Sequence, residues 1–453
     1  MTNKTDLDLE SLTKKQLFEI LHRLCETDPQ IEEKLQFMLS TSEEDEISTS
    51  RKLISQYIQE AKHQGFIHRG NAYHALQGAN MVMDKAYDLI QNGQVERGIK
   101  LATVVLQRAI DMIQYTDDSD GHIGDTLRGS LTIISEGANM PNLDPKTEAA
   151  IFTMLLKEAD LKRYDGWSSE RVALLRSVLP LAHESKRREK LEKKLEAYLV
   201  EDSGDLWSMS KYTNEEIKEL QWELINRYDG MEKATEFLFA NLDKSNLREK
   251  AIVQLLDQKE YEKALELAKD GARLDKDLHG LVDRWMKYQY DAYKAMGNRE
   301  KQRDLAYKLS MTRSNFSYYL ELKTLYSKEK WPDILDLVLN DAKKNEGLLT
   351  DILIHEQLFA HLLEFTKKKP YYIEQFYSYL LDDHSSEANA IFHEHIRQKA
   401  ERASDRRGYR GVMKLIKTYR KTWGLQDAEI MIAELRESNV RRPAFLDELD
   451  KLS

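Results

Sequence analysis

The chain has 453 residues and a single cysteine, Cys25. One thiol excludes an internal disulfide framework and any zinc site built from several cysteines. A reducing cytoplasm fits that usage. Glycine (19) and proline (7) are also scarce. They make up about 6% of the chain where roughly 12% is usual. So few breakers count against a turn-rich all-β fold and against proline-rich disorder, and favour helices joined by short loops. Long apolar runs are missing too. None approaches the roughly 18 residues of a membrane span, and stretches such as Val172–Leu175 soon end. The opening MTNKTDLDLE carries acids and no apolar core, so no secretory signal is expected. Basic residues (68) are outnumbered by acidic ones (78), leaving a formal charge of −10. A chain-wide nucleic-acid coat is thereby excluded, and any such binding must be local. The chain also lacks Gly-x-Ser-x-Gly, the phosphate-cradling Gly-x-x-x-x-Gly-Lys and the dinucleotide Gly-x-Gly-x-x-Gly. With so many acids, no carboxylate pair is informative. Nothing positive points to an enzyme or a cofactor.

What is present is helical periodicity. Ser11 or Thr13 can cap a first helix carrying Leu17, Ile20, Leu21 and Leu24 on one face. It stops before Asp28-Pro29, and a second helix starts at about Pro29. These two make an N-terminal helical hairpin over 1–40. The acidic, Ser/Thr-rich stretch STSEEDEISTS (Ser40 to Ser50) reads as a linker over 41–50. A helical domain follows over 51–205. It has a long helix from Tyr73 to Asn92, an antiparallel partner from Val95 to Tyr115, and further helices near Asp125–Ser135, Pro145–Lys162, Ser168–His183 and Lys186–Val200. The segment EDSGDLWSMSKYT (Glu201 to Thr213) is a second candidate boundary.

From about residue 206 to 453 a loose repeat appears, with apolar residues at offsets 0, 3, 4 and 7. Successive sets start at Met231, Tyr261, Gln302 (a weaker set, opening on a polar residue), Trp331, Tyr372 and Tyr409, separated by 30, 41, 29, 41 and 37 residues. Each interval fits one helical hairpin. Such hairpins cannot bury their apolar faces alone and must stack. The expected fold is all-α: irregular α-α hairpin repeats forming a TPR-like α-solenoid, with an N-terminal helical bundle. The period is too irregular for a strict 34-residue array.

Four segments carry a family likeness. They are LTKKQLFEILHRLCETDPQIEEKL (Leu12 to Leu35), the run NGQVERGIKLATVVLQRAI leading to YTDDSDGHIGD (Asn92 to Asp125), ERASDRRGYRGVMKLIK (Glu401 to Lys417) and RRPAFLDELDKL (Arg441 to Leu452). Together they resemble the large helical region that lies downstream of the metal-binding finger in bacterial SWIM zinc-finger proteins. The finger itself needs Cys-x-Cys followed by Cys-x-His, which Cys25 cannot supply. The resemblance therefore implies an interaction scaffold, without zinc and without finger-borne DNA contact.

Metal-like constellations dissolve on inspection of spacing. With Gly121 at position 6 of a calcium loop, Asp118 and Asp120 fall at 3 and 5, but Thr116 at 1 and Leu127 at 12 cannot complete it. A helix-capping Asx turn is the expectation. His393 and His395, two apart, point to opposite sides of a helix, and His355 and His361 also miss a common face. His63, His68 and His74 cross a glycine turn with nothing to force convergence. Histidines exposed to solvent or at helix ends are expected. Cys25 sits among Leu21 and Leu24 as a structural thiol. The run Lys186 to Lys194 has interspersed Glu and suggests i,i+4 pairing.

The sharpest functional lead is a charge anomaly. Between Arg397 and Lys421 there are ten basic residues and two acids, a local +8 that leaves −18 for the rest. Arg406, Arg410, Lys414 and Lys417 fall on one helical face, with Arg407 beside them. That stripe can be solvated or paired within the chain, can meet an unidentified protein partner, or can bind nucleic acid through phosphates. Trp331, Tyr318 and Tyr319 are possible partner anchors, although such aromatics are more often core. No membrane association is expected.

Overall fold

A computed structural model of the chain describes residues 12–27, 29–40, 42–200, 209–312 and 315–452. Among these residues the regular structure is helical, and β-pairing is confined to the isolated bridges His63–Phe66 and Ile67–Thr116. The chain divides into two compact units, Met1–Ala251 and Ile252–Ser453.

The N-terminal unit contains α1 (Lys14–Thr27), α2 (Pro29–Leu39), α3 (Glu43–Ala61), α4 (Arg69–Ala75), α5 (Gln77–Gln91), α6 (Val95–Ile113), α7 (His122–Ala138), α8 (Pro145–Ala159), α9 (Ser168–Val178), α10 (Ser185–Ala197), α11 (Met209–Tyr228) and α12 (Met231–Ala240), and the division falls within α13 (Ser245–Asp257). Its core centres on α6, which buries residues on nearly every side between α5 and α7. Close approach there depends on two glycines. A Cβ on Gly98 would lie 2.6 Å from the Ala86 carbonyl oxygen, and one on Gly137 would lie 2.8 Å from Ile99.

Four sequence expectations are corrected in this unit. The 41–50 linker is the first half of α3. Ser42 caps it, four acids in its first turn complement the helix dipole, and Glu46 and Ser50 are buried. The boundary at 206 also moves. Residues 201–208 lie outside the described residues, but α11 starts at Met209 and belongs with the N-terminal unit. Its Ile217, Leu220 and Leu224 enter the same core as Leu175 and Val178, and its Asn214 side chain holds both the N–H and the carbonyl of Val200. The single helix Tyr73–Asn92 is broken at Leu76 between α4 and α5. Finally, the basic run in α10 pairs mainly across the fold: Arg187 with Glu148, Arg188 with Asp229 and Lys194 with Asp160.

The C-terminal unit contains α14 (Tyr261–Leu274), α15 (His279–Ala295), α16 (Arg299–Ser310), α17 (Phe316–Thr324), α18 (Trp331–Ala342), α19 (Glu346–His355), α20 (Phe359–Lys368), α21 (Ile373–Arg402, bent at His384), α22 (Arg406–Trp423), α23 (Leu425–Ser438) and α24 (Pro443–Asp450). Each helix packs chiefly on its neighbours in sequence, the arrangement expected of hairpin repeats. The fold is thus all-α, built as irregular helical-hairpin repeats.

The repeated offsets mark the second helix of a hairpin, or the helix after a short turn. Ala264, Leu265 and Ala268 of α14 are buried, as are Leu305, Ala306 and Leu309 of α16 and Val412, Met413 and Ile416 of α22. One set escaped the sequence pattern: Phe359, Leu362, Leu363 and Thr366 of α20, starting 28 residues after Trp331. The Tyr372 set instead follows a 3-10 turn, and its Tyr379 is exposed.

Four hairpins share one turn. Gly93, Lys259, Gly297 and Gln357 take φ of 79°, 62°, 72° and 56°, each two residues before the next helix. The following N–H then reaches back five residues, as in Glu260 to Leu255 (2.8 Å) and Asn298 to Tyr293 (3.0 Å). This is the Schellman closure, whose left-handed position favours glycine. Lys259 and Gln357 occupy it with a Cβ. Lys259→Gly and Gln357→Gly should therefore each raise stability by about 0.5–1 kcal/mol, and Gly297→Ala should lower it by about 1 kcal/mol, in urea titrations followed by circular dichroism.

Candidate functional site

The helix α22 starts where the Asp405 carboxylate accepts the Gly408 N–H at 2.7 Å. One face buries Tyr409, Val412, Met413, Leu415, Ile416 and Tyr419. The opposite face carries Arg406, Arg407, Arg410, Lys414, Lys417 and Lys421, all exposed. At 100° per residue these six fall within an arc of about 100° and extend about 22 Å along the axis. The helix therefore has a mainly apolar inner side and a cationic outer side.

Pairing separates the ten basic residues. Arg406 reaches Asp447 (3.3 Å) and Glu448 (3.1 Å) of α24. Arg397 is held by Glu394 and Glu401, and Lys399 by Glu374. Arg410 donates to the Arg406 carbonyl, and Arg420 to that of Leu452. No carboxylate of the described residues pairs with Arg402, Arg407, Arg410, Lys414, Lys417 or Lys421. Of the five residues singled out in the sequence, Arg406 is thus a tertiary contact and the other four form an uncompensated surface.

Beside this surface lies a cleft of about 570 Å³ between the last turns of α21, the first turns of α22 and Pro370–Tyr371. Lys399 and Arg402 stand on one side, and Gly408 and Gly411 on the other. No carboxylate of the described residues lines it. The nearby acids are already engaged. Hydrogen bonds from Arg397 and Gln398 hold the Glu394 carboxyl down at about 2. Burial pushes Glu374 up, but Lys399 and the buried His395 (2.6 Å) more than offset this, leaving its carboxyl below the usual range. A Cβ on Gly411 would meet nothing within 4 Å, so the glycine leaves room rather than relieving a clash. Arg442, unmarked in sequence, fixes the α21–α22 corner: its guanidinium donates to the carbonyls of Ala400 (2.7 Å) and Ala403. Only tertiary structure reveals that role, because any of the neighbouring arginines could have supplied it.

The acidic turn and the α21 histidines make structural contacts, whereas Cys25 is not the buried thiol expected: it is half-buried on α1, where Leu21 and Leu24 are exposed. Asp118 accepts the N–H groups of Ile123 (2.9 Å) and Gly124 (3.2 Å) at the start of α7, Asp117 accepts that of Ser119, and Asp120 pairs with Arg69. The turn caps a helix, as expected. His393 meets Glu434 and His395 meets Glu374, on separate sides of α21. Among the described residues no three His, Cys, Asp or Glu side chains cluster as metal ligands. Tyr319 is fully buried and Trp331 nearly so. No helix of the described residues is long and apolar enough to cross a membrane.

No protein-family model matches the chain, and no curated protein matches it in sequence. Among solved structures, one similar chain is a circular tandem repeat protein with novel repeat topology and enhanced subunit contact surfaces. It is 14% identical, with 93% of this chain and 95% of that chain covered, at a TM-score of 0.23. At that score the fold rests on the chain's own helices.

Proposed function

We propose that the chain is a non-enzymatic helical-repeat scaffold of the cytoplasm that docks an acidic segment of a protein partner on the cationic face of α22. The observation that carries this reading is the set Arg407, Arg410, Lys414, Lys417 and Lys421, aligned on one face with no carboxylate of the described residues to neutralise it. An apolar inner face fixes that helix, so docking there orders side chains but no backbone on this side. The adjoining cleft, with Lys399 and Arg402 on its α21 side, offers a place for an acidic side chain of the partner. The resemblance to the helical region of SWIM proteins points the same way. Nucleic acid is the second reading, favoured by the spacing of the cations but opposed by the −18 carried elsewhere.

Reversing Arg407, Arg410 and Lys414 to Glu tests it, with Arg406 spared because it braces α24. The purified chain is titrated with a fluorescent 20-residue poly-glutamate peptide and, separately, with a 20-base-pair duplex. The expected result is salt-sensitive peptide binding, weakened at least 30-fold in the triple variant, with thermal unfolding unchanged. Binding of the duplex but not the peptide replaces the proposal with the nucleic-acid reading, and binding of neither removes both.

A further inference from the structure

We propose that the cleft between α21 and α22 is a phosphate-monoester site, which receives a phosphotyrosine of the acidic partner segment. The inference deepens the scaffold reading and rests on it for the identity of the partner. The cleft, about 570 Å³, has the size of a small-molecule site, and His395, Arg402, Tyr371, Val412 and Gly411 are among the residues that line it.

Three observations select the ligand. The first is a histidine with one nitrogen spent and one free. His395 is only 4% exposed, and its Nε2 meets the Glu374 carboxylate at 2.6 Å. Burial opposes the ionisation of Glu374, but Lys399 and His395 outweigh it, so the carboxylate is charged and only accepts. Nε2 therefore carries the hydrogen, and the neutral ring keeps a lone pair on Nδ1. Nδ1 has no partner among the described residues, and it is not sealed from solvent as the indole nitrogens of Trp222 and Trp331 are. The open space on which His395 borders is this cleft. The second is charge. Arg402 is exposed and pairs with no carboxylate of the described residues, and no acid among them lines the cleft. Lys399, 2.7 Å from Glu374, balances the nearest one. The third is the wall. Pro370, Val412 and the exposed Tyr371, whose ring centroid lies 4.6 Å from that of Tyr372, offer apolar surface, and Gly411 adds no side chain to fill the space.

A phosphate monoester on an aromatic ring answers all three. Its second pKa is about 6, so near neutrality it brings the hydrogen that Nδ1 lacks. Its remaining oxygens accept from the Arg402 guanidinium, whose planar fork suits two of them at once. The ring covers the apolar wall beside Tyr371. A carboxylate at neutral pH carries no proton and sets its lone pairs against that of Nδ1. A sulfate ester has nearly the same shape, with an anionic charge, and likewise no proton to share. An alcohol gives Nδ1 a hydrogen but leaves Arg402 unpaired.

Isothermal titration of the full chain at neutral pH with phenyl phosphate, phenyl sulfate and phenylacetate tests this. The phosphate should bind at least 10-fold more tightly than the other two. Arg402→Gln, at an exposed position, should weaken phenyl phosphate about 10-fold. His395→Gln keeps an N–H for Glu374 and removes Nδ1, and should bring phosphate and sulfate to nearly equal affinity. If His395→Gln melts well below the parent, the phosphate-to-sulfate ratio of the parent and the effect of Arg402→Gln decide the matter. Equal affinity for phosphate and sulfate in the parent, binding of neither, or indifference to Arg402→Gln overturns the proposal. Inorganic phosphate that binds as tightly as phenyl phosphate overturns the phosphotyrosine assignment. A glutamate-rich peptide with a central phosphotyrosine should in turn bind more tightly than its sulfotyrosine twin. Poly-glutamate binding without a phosphate preference removes this inference and keeps the scaffold reading. A phosphate preference without poly-glutamate binding removes the scaffold reading and keeps the site.

Discussion

Replacing Glu46 by alanine should destabilise the N-terminal unit by about 3–5 kcal/mol. The carboxylate is 2% exposed, yet it binds two cations: Arg97 at 2.8 Å and Lys85 at 3.3 Å. Lys85 does more than pair. Its ammonium also donates to the carbonyls of Phe37 (2.7 Å) and Ser40 (3.1 Å), where α2 ends. The last carbonyls of a helix have no partner within it, and a lysine placed there satisfies them. One buried anion therefore holds Lys85 in position to close α2 against α3 and α5. Removing it leaves two poorly hydrated charges facing each other, which costs more than the pair contributed. Glu46→Gln keeps the volume and should cost less, about 1–3 kcal/mol. Urea titration gives the magnitudes. Hydrogen exchange adds a local readout: in Glu46→Ala the amides at the end of α2 should lose protection before those of α6. If both variants unfold as the parent does, the buried triad is not what fastens α2.

That same glutamate shows why a linker reading of this stretch fails. STSEEDEISTS has the composition of a linker, but Ser42 followed by four acids is also how a helix begins, with a cap and negative charge at the positive end of the dipole. The apolar rhythm that would decide the matter, Leu53, Ile54, Tyr57 and Ile58, starts two turns later, so periodicity alone places the start of the helix there. Where cap and rhythm coincide the sequence is legible. The helix expected from Pro145 does start there as α8, and the Asp144 carboxylate before it accepts the Lys146 and Thr147 N–H groups. Glycine is no guide to these repeats: the set in α20 follows a left-handed turn at Gln357, just as the recognised Tyr261 set follows one at Lys259.

The cationic face is legible in outline and not in detail. Charge and 3.6-residue spacing place Arg406, Arg407, Arg410, Lys414 and Lys417 together, and the buried apolar side of α22 fixes that alignment. Whether each charge is spent within the chain depends on residues distant in sequence. Asp447 and Glu448 neutralise Arg406, while Lys414 pairs with no acid of the described residues and keeps its charge for solvent or a partner. Local pattern sets direction, and tertiary packing sets availability. The same division holds at Trp331: a bulky helix-start residue is visible in the sequence, but its burial against Tyr319 and Tyr326 is set by tertiary packing.

The largest loss in the C-terminal unit is expected from Trp285→Ala, about 3–5 kcal/mol. Trp285 of α15 is fully buried and lies flat on α14. A Cβ on Gly271 would touch its ring at 2.9–3.1 Å, and its indole N–H donates to the buried Asp275 carboxylate at 2.8 Å. The seat is made by small residues on one side of α14: Ala264, Ala268 and Gly271, at offsets 0, 4 and 7. Alanine in place of Trp285 leaves a cavity that this seat cannot close, because residues with no side chain beyond Cβ have nothing to move into it. Trp285→Phe fills most of the space and sacrifices the hydrogen bond, so about 1–3 kcal/mol is expected. Gly271→Ala approaches the same contact from the other side. A gain of about 1 kcal/mol in helix propensity opposes an overpacking cost of about 1–3 kcal/mol, and the net should be a mild destabilisation. Chemical denaturation should therefore rank Trp285→Ala as the most damaging of the three, Trp285→Phe next and Gly271→Ala the least. A Gly271→Ala variant as damaging as Trp285→Ala would mean that the two helices are held by close backbone approach and that the indole merely occupies what space remains.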